Sequence, residues 1–83
     1  MQLAKYVKFR EEKFGGVLFE TRSEKVFTLN PTAAAVVRAI ESGGDELAVA
    51  ARVKNLFGSD DGTIERDVCA FIGELRQRGL VDE

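Results

Sequence analysis

The sequence predicts an α+β fold in which a three-stranded antiparallel sheet is followed by three helices. Three observations predict it. The first thirty residues place apolar and polar side chains in alternation, the two-residue period of strands. The remainder repeats apolar residues at helical spacing. Capping residues and glycines cut that remainder into three segments with short links, which force the helices to pack side by side.

In Tyr6-Val7-Lys8-Phe9-Arg10, Val7 and Phe9 share one face while Lys8 and Arg10 share the other. Gly15-Gly16 is expected as a turn or bulge. It is no phosphate cradle, because no helix follows it. Val17-Leu18-Phe19-Glu20 is the second strand, Thr21 to Lys25 a polar hairpin loop, and Val26-Phe27-Thr28-Leu29 the third strand. Asn30 can cap a helix through its side-chain oxygen, and Pro31 fits the first helical position, where its missing N–H costs nothing. That helix runs from Thr32 to about Ser42 and stops at Gly43-Gly44. Asp45 caps a second helix, Glu46 to about Phe57, with Leu47, Ala50, Val53, Leu56 and Phe57 as its apolar stripe and Gly58 as its stop. Ser59-Asp60-Asp61-Gly62 is a polar linker. Thr63 is expected to cap a third helix reaching about Arg78, with Ile64, Val68, Phe71, Ile72 and Leu75 apolar. Gly79 supplies a left-handed cap there, and Leu80 folds back on the last turn. One sheet face and three amphipathic helices can share a core. The predicted architecture is winged-helix-like, one domain over residues 1–83.

Composition narrows the function. With no histidine and one cysteine, the chain lacks the usual general base and cannot build a disulfide within itself. Cys69 has no basic neighbour in helical register and is expected to be buried or half-buried and inert. The expectation is a binding module that is not an enzyme, holds no metal and needs no cofactor. No apolar run is long enough to span a bilayer and the N-terminus lacks a signal-peptide pattern, so a cytoplasmic protein without a membrane partner is expected. Residues 1–30 carry six basic and four acidic side chains, while residues 31–83 carry six basic and ten acidic. The helical half is the acidic half, which repels phosphates. The third helix opens Thr63-Ile64-Glu65-Arg66-Asp67, short of the Arg, Lys, Asn or Gln that a DNA-reading helix presents. Nucleic acid is therefore not the expected partner.

Several segments in order resemble a known family. Leu29-Asn30-Pro31-Thr32-Ala33-Ala34, the helix after it, and Asp67-Val68-Cys69-Ala70-Phe71-Ile72-Gly73-Glu74-Leu75 ending in Gly79-Leu80-Val81 are similar to the PqqD-like family. Val7 to Phe19 looks like the start of certain members. Against the family pattern, Ala34-Ala35-Val36-Val37 makes the first helix slimmer than usual. The resemblance implies a recognition element for ribosomally made, modified peptides. It implies a domain that binds the leader segment of a precursor and presents it to a modifying enzyme, often a radical SAM protein. It also implies that the leader adds a strand to the sheet edge at Lys25, Val26, Phe27, Thr28 and Leu29, beside the last helix.

On that helix Phe71 lies on the flank of the apolar stripe, and Asp67, Glu74 and Arg78 continue the flank at i, i+3 or i+4 spacing. Phe71 could line a leader pocket or widen the core. Asp67, Glu74 and Arg78 could meet polar groups of a leader, or be a helix-start charge and surface ion pairs. A protein–protein adaptor, including a homodimer joined at an open edge, is the alternative function.

Overall fold

In the computed structural model, which describes residues 1–58 and 62–82, the alternating N-terminal third folds into a meander. A two-residue strand β1 (Gln2–Leu3) precedes β2 (Val7–Glu12), β3 (Gly15–Glu20) and β4 (Lys25–Leu29). Strands β2, β3 and β4 form an antiparallel sheet in that order, so β4 is an edge. Then come α1 (Pro31–Glu41), α2 (Glu46–Phe57), α3 (Thr63–Gln77) and β5 (Val81–Asp82). Strand β5 pairs antiparallel with β1, a small sheet the sequence did not announce. No helix among the described residues is long and apolar enough to cross a membrane.

Strand β2 runs two residues beyond Arg10, and the turn falls on Lys13-Phe14, so Gly15-Gly16 open β3 and are neither turn nor bulge. The reason is close approach. A Cβ on Gly15, whose φ is +142°, would stand 2.3 Å from the Leu29 carbonyl oxygen; one on Gly16 would stand 2.6 Å from the Phe9 ring. Glycine lets β3 run hard against the end of β4 and under an aromatic ring.

Helix α1 is the hub. It is capped as expected, the Asn30 side chain accepting from the Ala33 N–H at 2.8 Å. Ala34, Ala35, Val36, Val37, Ala39 and Ile40 are buried against β3, α2 and the other elements around it. The Asp45 side chain caps α2 through the Ala48 N–H at 2.9 Å. The buried face of α2, however, is Val49, Ala50 and Val53, while Leu47, Leu56 and Phe57 are exposed. Apolar residues lie all around this helix, so the period alone could not choose the inward face. Helix α3 buries Val68, Ile72 and Leu75, with Ile64 half-buried beside the core. Thr63 is its first helical residue and Gly62 holds the cap position, not Thr63 as expected. Ser59, Asp60 and Asp61 of the expected linker lie outside the described residues.

Cys69 is exposed, not buried. It follows Val68, and one helical step of about 100° turns it out of the core. The C-terminus of α3 closes as the glycine predicted. The Leu80 N–H donates to the Leu75 carbonyl and the Gly79 N–H to the Arg76 carbonyl, the double bond pattern of a glycine-terminated helix. The Tyr6 hydroxyl donates to the Gly79 carbonyl at 2.6 Å and ties this corner to the start of the sheet.

Glu20 is the one buried charged side chain among the described residues, and it organises the β3–β4 turn. Its carboxylate accepts from the Ser23 hydroxyl and from the Arg22 and Ser23 N–H groups at 2.8 and 3.0 Å. The Ser23 hydroxyl above all, then these backbone donors and the Arg22 charge, hold its carboxyl below the ordinary value of 4.5, against burial, which pushes the other way. A carboxyl lowered on folding stabilises the fold above its unfolded value, and that stability is lost as pH falls through the folded value. The wild type is therefore expected to lose thermal stability below pH 4.5 more steeply than Glu20→Gln, measured as melting temperature against pH. Parallel curves would show that Glu20 is not the titrating group.

Candidate functional site

The free edge of β4 has a definite composition, because strand parity fixes which groups point outward. The Thr21 N–H donates to the Tyr6 carbonyl across β3 and β2, which continues the pairing of Lys8 with Phe19 and Glu12 with Gly15. Odd-numbered residues of β3 therefore bond toward β2, and Gly16, Leu18 and Glu20 bond toward β4. Their partners are Leu29, Phe27 and Lys25. This leaves the N–H and C=O groups of Val26 and Thr28 facing away from the sheet, four main-chain groups ready to template another strand.

Side chains alternate the other way. Phe27 is half-buried and Leu29 buried on the face toward the helices, while Val26 and Thr28 are exposed. Lys25, in register with Glu20, shares the Phe27 side. Val26 stands opposite Phe19, and the two make an exposed apolar pair on the outer face of the sheet.

Helix α3 packs on α2 and meets β4 only sparsely, so a trough remains between α3 and the strand. Phe27, Thr28, Leu29, Phe71, Glu74 and Arg78 line a hollow of about 130 Å³ there, floored by Leu18, Leu75 and Leu80. The Arg78 guanidinium lies 5.3 Å from the centre of the Phe27 ring, a cation–π contact across the trough. Phe71 also borders a second hollow of about 250 Å³, with Asp67, Asn30, Thr32, Ala33 and Val36. The small side chains of α1 leave room for it.

Six of the nine sequence-predicted residues thus share one hollow, and Asp67 joins them through Phe71. Lys25 and Val26 line neither hollow. Val26 offers its backbone, and Lys25 stands at the outer end of the strand. The apolar floor and the Asn30–Thr32 wall were missed as site residues. Leu80 was legible only as a residue folding back on α3, and Asn30 only as a helix cap.

Among curated proteins, none matches this chain. Two solved structures are similar over nearly its whole length. One is TbiB1 in complex with the TbiA(beta) leader peptide, with a TM-score of 0.84 at 20% identity, covering 99% of this chain and 95% of that one. At that identity it speaks for the fold. The other is lasso peptide synthetase B1 complexed with the leader peptide, with a TM-score of 0.79 at 26% identity, covering 99% and 96%. A family model described as Coenzyme PQQ synthesis protein D (PqqD) matches residues 15–81, from the first residue of β3 into β5, and the chain belongs to the PqqD family.

Proposed function

We propose that this chain binds the leader segment of a ribosomally made precursor peptide as an added strand on β4 and presents it to the enzyme that modifies the rest. The observation that carries this reading is the free edge of Val26 and Thr28 beside an apolar-floored trough. Strand addition takes affinity from main-chain hydrogen bonds and specificity from side-chain pockets, and this edge offers both. Four bonds at about 1 kcal/mol each and two apolar side chains at about 2 kcal/mol each, less a few kcal/mol for ordering a floppy leader, suit a weak, reversible complex. Membership of the PqqD family and likeness to leader-peptide complexes support the same reading.

The nine residues divide by role. Val26 and Thr28 give backbone, Phe27, Leu29 and Phe71 give apolar contact, and Lys25, Asp67, Glu74 and Arg78 give charge. The chain works as one domain, does no chemistry itself and needs no cofactor. Its enzyme partner is a radical SAM protein, as the family resemblance implies, and that partner carries the iron–sulfur chemistry.

An amide NMR titration tests this with synthetic leaders taken from short reading frames beside the gene, against a scrambled control. Saturable shifts concentrated in residues 25–29 and 67–78 are expected. A folded monomer that shifts with no leader would remove the proposal and favour the adaptor reading.

A further inference from the structure

The groove residues of α3 lie on one line along the helix, Asp67, Phe71, Glu74 and Arg78, spaced by four, three and four. Their charges are ordered. Asp67 and Glu74 are exposed carboxylates that make no ion pair with any other described residue. Arg78 closes the line, held over the Phe27 ring. Lys25, on the Phe27 side of β4 and at that same end, adds a second positive charge. The helix runs antiparallel to the strand, since Arg78 lies against Phe27 while Asp67 lies near Asn30, just past the end of β4. The Asp67 end of the trough is therefore negative, Phe71 with Phe27 and Leu29 makes its middle apolar, and Arg78 and Lys25 place the positive charge at the other end, where Glu74 stands one turn before Arg78.

We propose that this charge order selects the leader by sequence and by direction. The segment that fits carries a basic residue, an apolar residue two positions on, and an acidic residue two positions further, and runs antiparallel to β4. The proposal rests on the strand-addition reading above. Antiparallel is the direction both existing pairs of this sheet adopt, and it is slightly the more stable pairing. It sets the leader's N-terminal side beside Leu29 and Asp67 and its C-terminal side beside Lys25 and Arg78. Residues two apart on a strand share a face, so all three side chains turn to the helix together. Asp67 and Arg78 are about 16 Å apart along the helix axis, and four residues of strand span about 13 Å. The long basic side chain covers the difference. The apolar residue enters the hollow between Phe27, Leu29 and Phe71.

The test uses three fluorescently labelled fifteen-residue peptides, with binding followed by anisotropy and by amide shifts of the protein. One has lysine, leucine and glutamate at alternate central positions, the second has the order reversed, and the third has glutamine in place of both charges. At low salt the first is expected to bind about tenfold tighter than the second, with the third between them. The difference shrinks at high salt as exposed charges are screened. A protein carrying Asp67→Lys and Arg78→Glu, both exposed positions, is expected to invert the order. Equal affinity for all three, with saturable shifts in residues 25–29, overturns the charge order and leaves strand addition standing. Preference for the reversed peptide overturns the direction. No saturable binding by any peptide overturns strand addition, and the charge order with it.

Discussion

Thr28→Pro is expected to weaken leader binding more than about tenfold while the domain stays folded. The Thr28 N–H points away from β3, so proline removes no bond of the existing ladder. What it removes is one donor to the incoming strand, about 1 kcal/mol net. Its ring also projects into the space the leader backbone must occupy, which costs the neighbouring bonds as well. Phe27, the residue before it, is already in a strand, the conformation that proline demands of its predecessor. Thr28→Ala is the control, because it keeps the N–H and changes only a side chain on the exposed face. Titration calorimetry with the cognate leader, and melting curves of all three proteins, make the comparison. Equal loss in both variants would assign the effect to the side chain and take the backbone out of the recognition.

Gly15→Ala is expected to cost about 3 kcal/mol of folding stability. The added Cβ would lie 2.3 Å from the Leu29 oxygen and 2.6 Å from the Asn30 carbonyl carbon. Both are backbone atoms, which cannot swing aside as a side-chain tip can. The φ of +142° adds strain of about 1–3 kcal/mol, since that region belongs almost wholly to glycine. In a domain of this size the melting temperature should fall by about 15 °C. Gly43→Ala isolates the strain from the clash. Gly43 has φ +89°, yet nothing lies within 4 Å of the added carbon, so a loss of about 1 kcal/mol is expected there. If the two variants melted together, the close approach of β3 to the β4–α1 junction would be refuted.

The parts of this fold that were legible in the sequence are those with a strong local signal. Asn30-Pro31 fixed the start of α1, and Gly79 with Leu80 fixed the end of α3, because capping chemistry is local. The line Asp67, Phe71, Glu74 and Arg78 was legible for a similar reason. Helical spacing alone puts those residues on one face. What escaped depends on the rest of the molecule. Strands β1 and β5 are two residues each, too short to show a period, and exist only because the fold brings residues 2–3 beside 81–82. The inward face of α2 was misread, since Leu47, Leu56 and Phe57 outweigh Val49 in the pattern but not in the packing. Gly15-Gly16 looked like a turn because a glycine pair signals either freedom or crowding, and only the neighbours decide which. Which edge of the sheet borders the trough is likewise a tertiary fact, suggested by resemblance and invisible to periodicity.

The pairing of Gln2 with Asp82 sets these two residues side by side, about 5 Å apart, as neighbouring strands are. For protein engineering this is a built-in junction. A short glycine linker is long enough to bridge residues 2 and 82. Two cargoes attached beside residues 2 and 82 would start as neighbours, each held near the other at millimolar effective concentration without a designed scaffold.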